Sequence, residues 1–363
     1  MKEPEEEFTI IPGYKDTRTS IFSVLVKRTY HICAGKPLIR AEFDNPFTEV
    51  DQYYEDDPQN CTVKYETDMY PYKLATDVVV IGKAYAPSNK PIRQTDVSVE
   101  IANTKKVIRI IGDRQCIYRK NKQPLFTDPI EFTEMEIRYE RAYGGWDKIS
   151  IQDIPFYYPR NPMGRGIVLK NIPEMVKGLL LPNLEDPNDM ITPETLILED
   201  PKRWNLQPFP QGFGWMRQIW YPRCSFVGVI PAFVQPGMVM KEETLAIVPK
   251  NQIALAWQFK LPSFDVRFNN GASYGLVLPY LKGNELVKLK NLTPDGKLEF
   301  NLPNDNPKMM LDIGLGENEL KVDLHTVCIR TEDMQVDMVW RGAHEYPGTD
   351  WLPEMKKMNA KIF

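Results

Sequence analysis

The stretch DVSVEIANTKKVIRIIG, residues 96–112, carries the clearest local signal for the fold. Apolar and polar residues alternate on both sides of a polar interruption near Asn103, and a period of two is typical of half-buried β-strands. IFSVLVKRTYHI (21–32) and DVVVIGKAYA (77–86) are similarly rich in β-branched and aromatic residues. In MEIRYE (135–140), apolar and charged side chains alternate between two faces. These patterns predict a series of β-strands, with a turn near Asn103.

Strand patterns return in the C-terminal part of the chain. LVKLKNL and KLEFNL flank TPDG, where Pro294 presets φ and Gly296 supplies a positive φ, so a hairpin is predicted. MMLDIGLGENELKVDLHTVCIR (309–330) indicates a second hairpin that turns at residues 316–318. MQVDMVWRG (334–342) adds a last strand. Together these segments predict a β-meander.

Between the two strand-rich parts, residues 147–220 are dense in proline and glycine, as in YYPRNPMGRG, LLLPNLEDPND and NLQPFPQGFGW. The chain has 31 prolines, well above the usual share of about 5%. Aromatic residues and leucines are interleaved throughout, which favours long ordered loops, and such loops are commonly functional. Helical patterns are scarce, and PEMVKGLL (173–180) and LPEMKKM (352–358) are the short helices predicted.

The predicted fold class is therefore mainly β: antiparallel sheets in a sandwich- or meander-like arrangement, with long ordered proline- and glycine-rich loops and few short helices. We expect two lobes that are tied together by the proline-rich middle. The predicted divisions are an acidic tail and lead-in (1–20), an N-terminal β lobe (21–146), the loop region packed on the sheets (147–220), a C-terminal β-meander lobe (221–345) and a C-terminal tail (346–363).

Composition limits the compartment and the partners. The 363 residues carry a net charge of −4, so no overall field attracts nucleic acid or an anionic membrane. The five cysteines are scattered and form no CxxC pair, which disfavours disulfides and cysteine zinc sites. The start MKEPEEEFTI lacks the features of a signal peptide, and no apolar run approaches the ~20 residues of a membrane span. A cytoplasmic location is expected.

YERAYGGWD (139–147) combines opposite charges, aromatic residues and a glycine pair. We expect Tyr139 to end a strand, Glu140 and Arg141 to form a buried or half-buried ion pair, and the glycines that follow to make the turn. The hypothesis is that Glu140 and Arg141 clamp the NPMGRG and LPNLEDP loops and thereby shape a binding surface. On this hypothesis Glu140→Ala leaves Arg141 unpaired and costs on the order of 3–5 kcal/mol.

Several motifs point weakly to catalysis or ligand binding. GASYG (271–275) matches the GxSxG nucleophile elbow, but the required strand before it and helix after it are missing from the pattern. NPMGRG could hold an anion in its backbone, although a glycine-proline turn is favoured over a nucleotide site. His344, Glu345 and Asp350 are close enough in sequence for a metal site, yet their spacing is unremarkable. No metal, cofactor or catalytic residue is therefore predicted.

Carboxylates with acid–base potential are Asp113, Glu140, Asp147 and Glu185, and each has a basic neighbour for which ion pairing is the commoner outcome. The tryptophan-bearing pieces GGWD, KRWN, GFGWM and IWYPR fit a sugar-stacking platform, a protein interface or simple packing of the loops. The pattern leaves these three readings open.

The chain resembles a bacterial family of type VI secretion-associated adaptors, long catalogued as a domain of unknown function. The resemblance spans roughly residues 22–342 and lies in an ordered set of motifs: YETDMYPYKLATDVVVIGKAYAP, IGDR, YERAYGGWD, NPMGRG, LPNLEDP, PFPQGFGW, GNELVKLKNLTPDGKLEFNLP and DLHTVCIR. The chain departs from the family after IGDR, at Gln115 and Cys116, and in the segment that follows WYPR. A divergent loop is where partner specificity would be tuned.

The resemblance implies a non-catalytic cytoplasmic chaperone or adaptor that binds a secreted effector, often through its PAAR-like region, and helps to load it on the spike protein. Exposed edge strands could also add to a partner's sheet. The alternatives are an enzyme acting on carbohydrate or peptidoglycan, with Asp113, Glu140 and Asp147 as candidate acids, and a structural component of the baseplate. The residues expected to bind the partner or to organise the loops are Asp113, Arg114, Glu140, Arg141, Trp146, Asn161, Arg165, Asn183, Glu185, Trp220, Arg223, Trp340 and Arg341.

Overall fold

β-Strands dominate the computed structural model, which describes residues 7–14, 19–119, 123–147, 155–227, 229, 265–312, 316–347 and 358–363. The strands are β1 (Phe8–Tyr14), β2 (Thr19–His31), β3 (Ile39–Arg40), β4 (Gln52–Tyr53), β5 (Val63–Tyr65), β6 (Thr76–Ile81), β7 (Lys83–Tyr85), β8 (Gln94–Ile101), β9 (Thr104–Ile111), β10 (Cys116–Tyr118), β11 (Pro124–Phe126), β12 (Glu134–Glu136), β13 (Tyr143–Gly144), β14 (Trp146–Asp147), β15 (Phe156–Tyr157), β16 (Arg165–Gly166), β17 (Leu184–Glu185), β18 (Val277–Leu278), β19 (Leu286–Lys290), β20 (Lys297–Asn301), β21 (Met309–Asp312), β22 (Glu317–Glu319), β23 (Lys321–Arg330), β24 (Gln335–Pro347) and β25 (Asn359–Ile362).

Helical structure is confined to short segments in the described part of the chain. The α-helix α1 spans Pro173–Val176, shorter than the predicted helix at 173–180. Short 3-10 helices are Pro87–Asn89, Tyr139–Arg141, Pro201–Leu206, Arg223–Val227 and Val266–Asn269. The helix predicted at 352–358 falls almost wholly outside the described residues. The prediction of a mainly β fold with antiparallel sheets and few short helices is confirmed.

The larger sheet has seven strands in the order β1-β2-β24-β23-β6-β18, with β3 paired to β2. Its longest pairing joins β2 and β24, which are antiparallel from Thr19↔Pro347 to His31↔Gln335. All the residues of β2 between its two ends are buried, so both faces of this strand are covered by the protein. β6 joins the sheet by a parallel pairing with β23, from Thr326↔Asp77 to Arg330↔Ile81. The central sheet therefore depends on contacts between the two ends of the sequence.

The second sheet has five strands in the order β17-β9-β8-β19-β20. The stretch that opened the sequence analysis forms the β8–β9 hairpin, with Ile101↔Thr104 as its last pair, as predicted. The TPDG hairpin β19–β20 is also confirmed, with Gly296 at φ +76°. A three-stranded sheet, β22-β21-β25, contains the second predicted hairpin, which closes at Asp312↔Glu317, slightly before the predicted turn.

Both large sheets combine strands from the ranges 21–146 and 221–345, which differs from the expected separation into two lobes. Buried side chains of both sheets, such as Val24, Val99, Val287 and Trp340, belong to one hydrophobic core. The difference arises because local patterning specifies strands but not their non-local partners. The boundaries of the predicted divisions stay a prediction.

A second, smaller core lies under the proline-rich loops. It is lined by aromatic side chains, including Tyr143, Tyr158 and Trp204, which pack edge to face with ring centroids 5.2 and 6.0 Å apart. The guanidinium of Arg160 lies 5.0 Å from the Trp204 ring centre. These buried contacts hold the loops in place where regular strand pairing is sparse.

One predicted strand needs correction. MEIRYE forms only the short β12, and Tyr139 then begins a 3-10 helix instead of ending a strand. The main chain leaves the strand path here because the carbonyls of Tyr139 and Tyr143 accept hydrogen bonds from the side chain of Asn161, at 2.8 and 3.1 Å. A side chain thus takes the role that a neighbouring strand would otherwise have.

Candidate functional site

The motifs YERAYGGWD and NPMGRG lie side by side in the structure. β13 and β16 pair in parallel, with Tyr143↔Arg165 and Gly144↔Gly166. Gly145 has φ +102°, and a Cβ atom on it would lie 2.5 Å from the carbonyl oxygen of Gly164. Only glycine permits both this backbone conformation and this close approach. The predicted glycine turn is therefore a place where two main chains pack directly on each other.

Asn183, in the LPNLEDP motif, connects this pair of segments to the second sheet. Its N–H donates to the carbonyl oxygen of Arg141 at 2.7 Å, and its carbonyl oxygen accepts from the N–H of Ile111 at 2.8 Å. Its side-chain Nδ2 donates to the carbonyl oxygen of Ile111 at 2.8 Å. The side chain of Asn183, which is fully buried, thus completes the pairing of Ile111 at the end of β9.

The side-chain amide of Asn183 also forms hydrogen bonds with three charged side chains. Asn183 Oδ1 accepts from Arg141 Nη1 at 3.3 Å and from Arg165 Nη1 at 3.2 Å, while Nδ2 also donates to Asp113 Oδ1 at 3.0 Å. Asp113 lies 3.5 Å from Arg141 and 3.8 Å from Arg165. The side chains of Asp113, Arg141 and Arg165 are 51%, 30% and 23% exposed. We call Asp113, Arg141, Arg165 and Asn183 the Asn183 corner.

A buried ion pair lies next to this corner. Arg114 Nη2 contacts Glu185 Oε1, and the side chains are 10% and 2% exposed. Glu185 Oε2 accepts from the N–H of Ile191 at 2.7 Å, and the Arg114 guanidinium lies 5.5 Å from the Phe126 ring centre. Burial raises the pKa of Glu185 to about 7, although the Arg114 charge opposes the change. The pair connects the segments that contain Arg114, Phe126 and Glu185. Arg114 follows Asp113 in the sequence, and Glu185 lies two residues after Asn183.

Glu140 and Arg141 are not paired with each other, so that expectation was wrong. Glu140 Oε1 accepts from the N–H of Thr62 at 2.7 Å, and its Oε2 accepts from Thr62 Oγ1 at 2.8 Å. Its cationic neighbour is Arg138, at 3.5 Å. Adjacent residues of a 3-10 helix point in different directions, which separates the two side chains. The loss of about 3–5 kcal/mol expected for Glu140→Ala assumed that Arg141 would be left unpaired. That assumption does not hold, because Arg141 donates to Asp113 and Asn183.

The clamp hypothesis agrees with other contacts of these residues. Arg165 of NPMGRG donates from Nε to the carbonyl oxygen of Glu140 at 3.0 Å. Arg141 contacts Asn183 of LPNLEDP through both its main chain and its side chain. The segment 140–141 therefore does join the two loops, through its carbonyl oxygens and the Arg141 guanidinium. The Glu140 carboxylate instead joins this segment to Thr62.

Large apolar side chains lie exposed close to the Asn183 corner. Ile130 is 67% exposed, and its N–H donates to the carbonyl oxygen of Asp113 at 2.9 Å. Leu180 is 43% exposed and forms an isolated antiparallel β-bridge with Gln115. Trp146, on the YERAYGGWD segment, is 49% exposed, and its ring is tilted by 40° to that of Tyr157, with the ring centroids 5.0 Å apart. Exposed apolar and aromatic residues beside arginines are characteristic of protein-binding surfaces.

The remaining predicted residues lie in the core and not at this surface. Trp220 is buried and packs edge to face with Tyr139, with centroids 5.3 Å apart. Arg223, also buried, donates to Glu66 Oε1 at 2.5 Å. Trp340 donates to Asn306 at 2.9 Å, Arg341 donates to Ser23 Oγ at 3.1 Å, and both residues are buried in β24. These contacts organise the fold and leave no exposed surface for a partner.

Sequence reasoning missed several buried polar groups. Lys73 Nζ lies 2.6 Å from Asp77 Oδ2, between strands of the seven-stranded sheet and the loop at Gly271. Lys106 Nζ donates to Ser273 Oγ at 2.5 Å, and burial lowers the pKa of Lys106 to about 7. Ser273 is 167 residues away from Lys106, and Asp77 is only four residues from Lys73, but the sequence does not show that the Lys73–Asp77 pair is buried.

The weak catalytic motifs receive structural explanations. Ser273 of GASYG is fully buried and donates to the carbonyl oxygen of Gly212 at 2.6 Å; the short strand β18 follows it, where an elbow requires a helix. Asp147 is buried, and its Oδ2 accepts from the N–H of Leu169 at 2.8 Å. Asp350 lies outside the described residues. Within the described ranges, no cluster of three or more histidine, cysteine or acidic side chains could hold a metal ion.

A polar cavity lies in the core between β2 and β5, with Lys27, Glu66 and Asp68 among its lining residues. Its volume of about 20 Å³ accommodates one water molecule. It is too small for a metabolite. No helix in the described part of the chain is long and apolar enough to cross a membrane.

Comparison with known proteins yields one relationship. No curated protein and no solved structure matches the chain significantly. The profile of a family described as "Uncharacterized protein conserved in bacteria (DUF2169)" matches residues 17–341. This match includes the whole five-stranded sheet, the seven-stranded sheet apart from β1 and the end of β24, and every residue of the Asn183 corner. The chain therefore belongs to the bacterial family DUF2169.

Proposed function

We infer that the protein is a non-catalytic cytoplasmic adaptor. In this proposal it binds a secreted effector of a type VI secretion system, through the PAAR-like region of that effector, and assists its loading on the spike protein. The identity of the client comes from the resemblance of the motifs YERAYGGWD, NPMGRG and LPNLEDP to secretion-associated adaptors. The observation that supports a docking role most strongly is the Asn183 corner.

The Asn183 corner has the properties of a preorganised docking surface. Its arginines are partly exposed, yet hydrogen bonds to the buried Asn183 hold their guanidinium groups in place. A partner therefore binds side chains that have already lost much of their conformational freedom, which lowers the entropic cost of association. Ile130 and Leu180 add exposed apolar area beside the charges.

The carboxylates considered for catalysis are engaged in structural contacts. Asp147 accepts from a buried N–H, and Glu140 binds Thr62 and Arg138. A glycosidase needs a pair of carboxyl groups that face a common substrate. These contacts favour the adaptor over the carbohydrate- or peptidoglycan-acting enzyme.

The proposal is tested in a bacterium that carries the gene with its natural neighbours. A tagged chain should co-purify with one PAAR-containing effector, and deleting the gene should lower the soluble amount and the secretion of that effector alone. Ile130→Asp should abolish the association, whereas Leu286→Asp, which changes an exposed leucine of β19, should not. Loss of all secreted proteins would indicate the baseplate alternative. Turnover of peptidoglycan that disappears on Asp147→Asn would refute the adaptor proposal.

A further inference from the structure

The arginines of the Asn183 corner retain unused hydrogen-bonding capacity. Arg141 and Arg165 both donate from Nη1 to the single oxygen Asn183 Oδ1. Their distances to Asp113, 3.5 and 3.8 Å, exceed the ~2.8 Å of a strong charge-assisted hydrogen bond. Among the described residues, neither Arg141 Nη2 nor Arg165 Nη2 has a hydrogen-bond partner. Each guanidinium therefore has a donor free for a ligand.

Positive charge at the corner is only partly neutralised. The pKa of Arg165 is lowered, first by burial and next by the charge of Arg141, so the two guanidinium groups repel each other. The charges of Asp113 and Glu140 oppose this lowering only in part, since the net direction of the change in the pKa of Arg165 is still downward. Glu140 is itself bound to Thr62 and Arg138, and Glu185 is bound to Arg114. Within the described part of the chain, Asp113 is the one carboxylate that lies within 4 Å of both arginines, and half of its side chain faces solvent.

We propose that the Asn183 corner binds a carboxylate side chain of the client polypeptide through Arg141 Nη2 and Arg165 Nη2. This inference rests on the proposed adaptor function and specifies the chemistry by which the client is recognised. Planar guanidinium groups match the geometry of a carboxylate and are the common choice for its recognition. Apolar residues next to the client's aspartate or glutamate contact Ile130 and Leu180.

An acidic peptide segment fits this surface better than nucleic acid does. A nucleic-acid site needs an extended basic face, whereas the corner contains the exposed Asp113 and the chain has a net charge of −4. A single carboxylate flanked by apolar residues requires only the free donors of Arg141 and Arg165 and the exposed area of Ile130 and Leu180.

The test uses the full chain and a fluorescein-labelled peptide of alternating leucine and glutamate, followed by fluorescence polarisation. The same peptide with glutamine in place of glutamate is the uncharged probe. We expect the glutamate peptide to bind the wild-type chain and the glutamine peptide to bind about tenfold more weakly. Absence of binding by the glutamate peptide, or equal binding of the two peptides, overturns the inference.

Variants identify the site. Arg141→Gln and Arg165→Gln should each lower the affinity for the glutamate peptide about tenfold, and Arg40→Gln should leave it unchanged. Arg40 is a matched control, because its side chain is also 23% exposed and is paired with Asp44. Asp113→Asn should strengthen binding several-fold, since it removes the competing carboxylate and retains an oxygen for Asn183. Misfolding cannot produce such a gain, and unchanged affinity in Asp113→Asn contradicts the proposal.

The two proposals fail in different ways. If the effector co-purifies equally with wild type and with the Arg141→Gln/Arg165→Gln double variant, the carboxylate site is refuted while the adaptor function stands. If the glutamate peptide binds as expected but no effector associates with the chain, the adaptor function is refuted while the carboxylate site stands.

Discussion

Asn183→Ala should destabilise the protein by about 3 kcal/mol. The substitution leaves the buried carbonyl oxygen of Ile111 without the 2.8 Å bond from Nδ2, and an unsatisfied buried acceptor costs about 1–3 kcal/mol. It also removes the acceptor shared by Arg141 and Arg165 and the donor to Asp113. Because those charged groups are partly exposed, water replaces much of this second loss, and about 1 kcal/mol is assigned to it.

Urea unfolding followed by tryptophan fluorescence measures this difference, with the free energy of unfolding compared at equal slope. Asn301→Ala is the control, because Asn301 lies on the edge strand β20 and its exposed amide donates to the carbonyl oxygen of Asn284 at 3.2 Å. We expect the control to lie within about 0.5 kcal/mol of wild type. An Asn183→Ala protein as stable as the control would refute the assignment of Asn183 as the residue that completes the pairing of β9.

Three further perturbations test buried charge and backbone strain. The folded pKa of Glu185, about 7, lies above the ordinary glutamate value of 4.5, so the folded state holds an extra proton between these pH values and the free energy of unfolding falls as pH rises. Glu185→Gln should reduce this fall by on the order of 3 kcal/mol, and an unchanged pH profile in urea titrations would contradict the assignment. The folded pKa of Lys106, about 7, lies below the ordinary lysine value of 10.5, so the free energy of unfolding should rise with pH between these two values. Thermal melts of Lys106→Met should lack this rise, and the same slope in both proteins would exclude Lys106 as its source. Gly145→Ala should lower the free energy of unfolding by about 3 kcal/mol or more, since φ is +102° and the new Cβ meets the carbonyl oxygen of Gly164. The control Gly35→Ala, at φ +69° with no atom near the new Cβ, should lower it by about 1 kcal/mol. Equal losses of stability in the two variants would show that the contact with Gly164 is unimportant.

Local patterning predicted the fold class because the strands and the turn of a hairpin are all specified by residues that are close in sequence. The β8–β9 hairpin and the TPDG hairpin pair residues that are close in sequence, and their turn chemistry is visible in Asn103 and Gly296. The partner of β2 was not predictable in this way, since period-two patterning specifies which face is buried and not which strand lies beside it. The parallel pairing of β6 with β23 was missed for the same reason.

At the candidate site, motifs that the sequence analysis singled out do lie side by side, but the predicted pairing of Glu140 with Arg141 was wrong. Glu140 and Arg141 were assigned to each other because they are adjacent, yet the partner of Glu140 is Thr62, 78 residues away. Asn183 was named as a candidate without any indication that its amide completes the pairing of Ile111. A side chain that substitutes for a strand N–H has no pattern of its own, because the need for it arises only when distant segments meet.

The long β2–β24 pairing also has a consequence for biosynthesis. Thr29 in β2 donates through Oγ1 to Asp337 in β24 at 2.7 Å, across a separation of 308 residues. At ribosomal rates of about 5–20 residues per second, β2 leaves the exit tunnel roughly 15–60 seconds before its neighbour exists. During that interval a 13-residue strand, whose apolar side chains are buried in the folded protein, is without β24, which favours holding by nascent-chain chaperones. Premature termination upstream of β24 should therefore yield insoluble fragments instead of a smaller folded protein.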